Sequence, residues 1–184
     1  MNKRIVIGID ASNIRGGGGL THLVELLRQL DLSEFEISKI ILWSGKKTLN
    51  AVTDKKWLLK KTSSFLDKNI IFRSAYQYFC LTNEVKKHNC DVLFVPGGTY
   101  VGNFPNTILM SQNLLPFEYQ ELRRYGLSRT YFRLLLLRVL QAHSFRKSKG
   151  VIFLSSPQWR PPRSFCFRLE LSWNCHRACE FLEV

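Results

Sequence analysis

The chain has 184 residues, enough for one domain with a core of its own and few for a two-domain enzyme. With 45% hydrophobic and 22% charged residues, its composition excludes a disordered chain. The net charge of +13 favours anionic partners, yet no zinc-finger spacing, RNP-like aromatic motif or continuous basic arm is present, which argues against nucleic acid.

Residues 3–10 (KRIVIGID) read as a buried strand, a short β-branched apolar run. The run from Ile5 to Ile9 is too short for a signal peptide, and no stretch approaches the roughly 18 apolar residues of a membrane span. The expected location is the cytoplasm, peripheral on the inner face of the membrane if the basic segment described below binds lipid. Five cysteines, an odd number, do not resemble a disulfide framework.

Residues 11–19 read as a loop ending in four glycines, and residues 20–30 as a helix with Leu23, Leu26, Leu27 and Leu30 at helical spacing. Residues 37–43 give a second strand and residues 69–73 a weaker third. A helix is predicted over 75–87. Two further strands follow, 91–96 (DVLFVP), stopped by Pro96-Gly97-Gly98, and 106–112 (NTILMSQ). Helices at 117–124 and 128–147 are separated by Gly126, and 150–155 (GVIFLS) is the last strand. Apolar strands alternating with helices predict an α/β fold, a doubly wound and mostly parallel sheet of Rossmann-like type. Ligands in such folds lie beyond the carboxyl ends of the strands, which singles out the loops at 11–19, 96–105 and 113–116.

The composition breaks at about Pro157. All 13 lysines precede it, whereas residues 157–184 hold four arginines, three of the five cysteines and no isoleucine. Reading out of frame produces such a break, so the expected organisation is a domain over 1–155 and an irregular tail over 156–184, read as the product of a frameshift after about Ser156, with an unusual short tail as the plain alternative. Sequencing the encoding DNA in the other two frames checks this.

Gly16, Gly17, Gly18 and Gly19 join strand one to helix one. Glycines let the backbone approach a ligand closely, and the first turn of a helix offers unpaired N–H groups and partial positive charge, which phosphate oxygens satisfy. Thr21 would add a hydroxyl, and His22, placed in the first turn, would face the ligand. The loop is not a Walker A sequence, because Leu20-Thr21 follows Gly19. Nor is it the dinucleotide fingerprint, whose third glycine is replaced by Thr21. A ligand-free flexible loop is the plain alternative. Pro96-Gly97-Gly98-Thr99 reads as a tight turn on the ligand side. Gln112 and Asn113 suit sugar hydroxyls, or else cap the following helix. Residues 128–149 mix leucines with Arg129, Arg133, Arg138, Arg146, Lys147 and Lys149, a pattern fitting an anionic bilayer or a core helix with a basic outer face. His22 and Glu25 lack a third partner for a metal, Cys166, Cys175, His176 and Cys179 lie in the aberrant tail, and no Asp-x-Asp pair is present.

The order of GGGGLTHLVELL, a strand ending in Trp43, DVLFVPGG, SQNLLPFEYQELRRYG, a basic leucine-rich helix and GVIFLS resembles the N-terminal domain of family 4 glycosyltransferases of the GT-B fold, over about residues 1–155. That resemblance implies transfer of a sugar, with retention and without metal or further cofactor, from a nucleotide-diphosphate sugar to a saccharide or lipid-linked acceptor in surface polysaccharide synthesis. It places the glycine loop by the donor diphosphate. A histidine that many members carry after the strand ending here in Gln112-Asn113 is missing. The family's Glu-x7-Glu motif is not matched by Glu170 and Glu180, so the polypeptide alone is expected to be inactive. The alternatives are a non-catalytic phosphate- or nucleotide-binding module, and another nucleotide-binding enzyme such as an epimerase.

Overall fold

The computed structural model describes residues 4–111, 124–126 and 128–153. The described chain runs β1 (Ile5–Asp10), α1 (Gly17–Gln29), a 3-10 turn (Leu32–Glu34), β2 (Ile37–Trp43), α2 (Lys46–Ala51) and β3 (Leu58–Lys61). It continues with α3 (Ile70–Tyr76), a π-helical segment (Gln77–Leu81), α4 (Thr82–Lys87), β4 (Val92–Val95), β5 (Thr107–Ser111), α5 (Arg129–Lys147) and β6 (Gly150–Phe153). The six strands form one sheet in the order β3-β2-β1-β4-β5-β6, and every pairing is parallel. The α/β, Rossmann-like expectation therefore holds. The expected helix at 117–124 falls almost wholly outside the described residues, as do Gln112, Asn113 and the tail from 154 onward.

Period-two alternation along the strands divides the apolar side chains between two cores. On one face Ile9, Ile40 and Leu42 pack against Leu23 and Leu27 of α1 and Leu49 of α2. On the other, Ile41, Trp43, Leu93, Val95 and Leu109 pack against Tyr76, Leu81 and Val85 of the helical run from α3 to α4 and Phe145 of α5. Helices on opposite faces follow from right-handed crossovers: β1 to β2 steps one way along the sheet, β3 to β4 and β5 to β6 the other. At Gly8, in the middle of β1, an added Cβ would stand 2.9 Å from the Trp43 ring and 3.3 Å from Leu93. Gly8→Ala is therefore expected to cost about 1–3 kcal/mol by overpacking, read as a lower urea midpoint at unchanged slope.

Three sequence expectations are corrected. Residues 69–73 are no strand. Asn69 Oδ1 accepts from the backbone N–H groups of Ile71 (3.1 Å) and Phe72 (3.3 Å), and this cap starts α3 despite the β-branched residues behind it. The third strand is instead Leu58–Lys61, whose lysines suit a sheet edge but conceal it from an apolar-run search. Helix α1 begins at Gly17, so three of the four glycines are helical.

The connection from β4 to β5 crosses the sheet without a helix. Tyr100 is buried there: its N–H donates to Ser144 Oγ on α5 (3.0 Å) and its phenolic oxygen accepts from Phe104 N–H (3.2 Å). Only the start of this connection, near Thr99, stays on the ligand side of the sheet. Among the described residues no helix is long and apolar enough to cross a membrane.

Candidate functional site

The strand order reverses direction between β1 and β4, and at such a switch point the loops leaving neighbouring strands part to form a crevice. The loop after β1 enters α1; the loop after β4 holds Gly98, whose φ of +69° is the left-handed conformation a glycine turn supplies. Asn13 spans the crevice, its Nδ2 donating to Thr99 Oγ1 at 3.2 Å.

Each residue of the loop at 11–15 is fastened. Ala11 N–H donates to Trp43 O (2.9 Å), and Ser44 Oγ donates to Ala11 O (2.8 Å). Arg73 donates to Ser12 O at 3.0 Å, and Thr48 Oγ1 to Ile14 O at 2.6 Å. Arg15 donates to the carbonyl oxygens of Leu66 (3.1 Å) and Lys68. Under the loop lies Asp10, 1% exposed, whose Oδ1 accepts from Ser12 N–H (3.0 Å) and whose Oδ2 accepts from Gln77 Nε2 (2.6 Å). Gln77 also donates to Ser12 Oγ at 2.9 Å. It reaches both from the π-helical segment, a local widening that often marks functional positions.

Burial raises the Asp10 carboxyl above its ordinary range, against the smaller opposing effect of its bonds to Ser12 and Gln77. A carboxyl raised on folding contributes stability that is fully present below its unfolded pKa and is lost as pH rises through the folded one. The stability of the parent relative to Asp10→Asn is therefore expected to fall as pH climbs from the acid side through that raised value, measured by urea denaturation across pH. A flat difference would remove Asp10 as the titrating group.

On this platform sits the glycine run. Gly16 is extended at φ 173°, and Gly17 takes φ +65°. No side chain caps α1 and its first turn holds no acid, so its leading N–H groups have no side-chain acceptor. A Cβ added at Gly16, Gly17 or Gly18 would meet nothing within 4 Å. The protein's own packing thus gives no steric reason for glycine at 16 or 18, although glycine in a helix costs about 1 kcal/mol against alanine. Arg15 and Arg73 stand at the same loop, close enough that, after burial, the charge of Arg15 is the next influence lowering the Arg73 pKa. Among the described residues, the polar contacts of both guanidiniums go to carbonyl oxygens and neither meets a carboxylate in an ion pair.

No protein-family model, curated protein or solved structure matches this chain. The reading of the site accordingly rests on its geometry.

Of the sequence-predicted residues, Gly16, Gly17, Gly18 and Gly19 lie together at the crevice. Thr21 and His22 do not belong to the first turn, because the helix starts earlier than the apolar spacing implied. Thr21 Oγ1 turns back to Gly17 O at 3.4 Å, and His22 is half-buried with Nδ1 lacking a partner among the described residues. Gln112 and Asn113 lie outside the described residues. Asp10, Ser12, Asn13, Arg15, Arg73 and Gln77 were not singled out by sequence, whereas Thr99 was, as the end of the turn on the ligand side. Arg15 carried a visible signal, a cation next to the glycines; the rest become neighbours only through the fold.

Proposed function

We propose that this chain forms the acceptor-side wall of a retaining glycosyltransferase, with the glycine run contacting the diphosphate of a nucleotide-diphosphate sugar. One observation carries the reading: an uncapped, acid-free helix N-terminus stands beside two arginines at the switch point of a parallel sheet. Backbone N–H groups and guanidiniums held in place by a bonded loop stabilise anionic oxygens without reorganising, and negative charge grows on the leaving diphosphate as the glycosidic bond breaks. The acceptor, a saccharide or a lipid-linked one of surface polysaccharide synthesis, would lie across the crevice. The basic α5 would hold the protein at the inner face of an anionic membrane.

Calorimetric titration of the full chain with inorganic pyrophosphate, UDP and GDP tests the seat. Binding that weakens with salt is expected, and Arg15→Ala should reduce it about tenfold, near the lower end for a charge-assisted hydrogen bond. Absence of binding for all three, or indifference to Arg15→Ala, would overturn the seat. Transfer itself is tested by extending the chain beyond Ser156 in the alternative reading frames and assaying UDP or GDP release from a panel of sugar donors. Pyrophosphate binding without release in every extended version favours the non-catalytic phosphate- or nucleotide-binding module instead.

A further inference from the structure

Buried polar side chains gather at the carboxyl end of the sheet, on the face away from α1. Ile9 packs toward α1, so alternation along β1 turns Asp10 to the other side, where Gln77 meets it. Leu109 shares that side's core with Phe145 of α5. Alternation along β5 therefore brings Ser111 to the same face. Gln141 precedes Phe145 by one helical turn and points the same way. Ser111 is 1% exposed and Gln141 4%.

The two ends of this polar layer differ. At β1, Gln77 donates to both Asp10 and Ser12. On α5, Ser144 Oγ accepts from Tyr100 N–H and donates to Leu140 O at 2.7 Å. At the end of β5, neither Ser111 Oγ nor Gln141 Oε1 has a hydrogen-bond partner among the described residues. Buried polar groups are costly to leave unpaired, and native folds pair the great majority of them. These two also adjoin one turn. A Cβ added at Gly98 would stand 3.2 Å from Gln141 Nε2 and 3.9 Å from Ser111 Cα.

We infer that Ser111 and Gln141 form a binding site for a neutral hydroxyl-bearing ligand, a sugar ring or another polyol, beside the Gly98 turn. The pair selects that chemistry. Gln141 Oε1 only accepts, and Ser111 Oγ donates or accepts, so the ligand must bring a donor and can also use an acceptor. A fully ionised anion brings acceptors alone. A cation would meet α5, which carries five basic residues and no acid. A hydroxyl donates and accepts at one atom and answers both side chains. The site lies across the sheet from α1 and its glycine run, so it rests on neither the diphosphate seat nor sugar transfer.

Calorimetric titration and saturation-transfer NMR of the full chain with glucose, galactose, N-acetylglucosamine and myo-inositol test the site. Saturable binding of at least one is expected. Ser111→Ala and Gln141→Leu should each weaken it about fivefold, the share of one neutral hydrogen bond. Binding of none of the four, a response that does not saturate, or equal binding by both variants would overturn the proposal. A second readout needs no sugar. Each substitution removes a stranded polar atom, so neither should lower the urea midpoint of the ligand-free chain. A midpoint lowered by both would show that the two groups are already satisfied inside the fold, by buried water, and would overturn the site as well.

Discussion

Gln77→Leu is expected to lower the free energy of unfolding by about 3 kcal/mol, because it strips a hydrogen-bond donor from a buried carboxyl and fills its place with methyl groups. Gln77 Nε2 serves two buried acceptors at once, Asp10 Oδ2 and Ser12 Oγ. Leucine has nearly the same volume, so little of the loss comes from packing; most comes from stranded polar atoms. Asp10 would keep only its bonds to Ser12, and its carboxyl would be pushed still higher. The destabilisation should therefore shrink toward low pH, where the protonated acid is the stable form in both proteins. Urea denaturation of parent and variant at acid and neutral pH checks both parts. A loss below about 1 kcal/mol at neutral pH, or one independent of pH, would mean that the network does not brace the loop under the glycines.

That network also marks the limit of what the sequence made legible. Strands β1, β2, β4 and β5 each carry an apolar run (IVIGI, IILW, VLFV and ILM), and a buried parallel strand has no polar face to confuse the reading over that run. Their alternation with helices fixed the fold class. The edge strand β3, with two lysines in four residues, obeys solvent rather than the core and was invisible to the same rule. Residues 69–73 read as a strand because β-branched and aromatic residues signal strand wherever they are buried. Here a single asparagine cap turned them into a helix with its apolar side chains outside. At the site, the glycine run was legible because its chemistry is local. The pairing of Asp10 and Ser12 with Gln77 spans 67 and 65 residues, and Arg73 reaches Ser12 across 61. No local pattern carries such contacts. They depend on a π-helical segment turning Gln77 inward at the one level where the loop passes.

Gly18→Glu is expected to abolish pyrophosphate and nucleoside diphosphate binding, by a factor of about one hundred or more, while raising stability by up to about 1 kcal/mol. The two signs have a common origin. Gly18 occupies the first turn of α1, takes no left-handed φ, and has open space where a side chain would begin. The fold therefore has no use for glycine there, and a side chain improves helix propensity. A carboxylate in an acid-free first turn complements the helix dipole and the N–H groups that no side chain caps. Those are the same groups the proposed diphosphate needs, and a tethered anion competes with a free one while repelling it. Gly18→Ala separates the contributions: it keeps the gain from propensity and should weaken binding only as far as its methyl group holds the ligand away. Thermal unfolding and calorimetric titration of the two variants read both quantities. If Gly18→Glu were less stable than the parent, the first turn would not be as open and uncapped as described. If it bound pyrophosphate unchanged, the anion would sit elsewhere on this strongly basic surface, and the assignment of the glycine run to a diphosphate would fail.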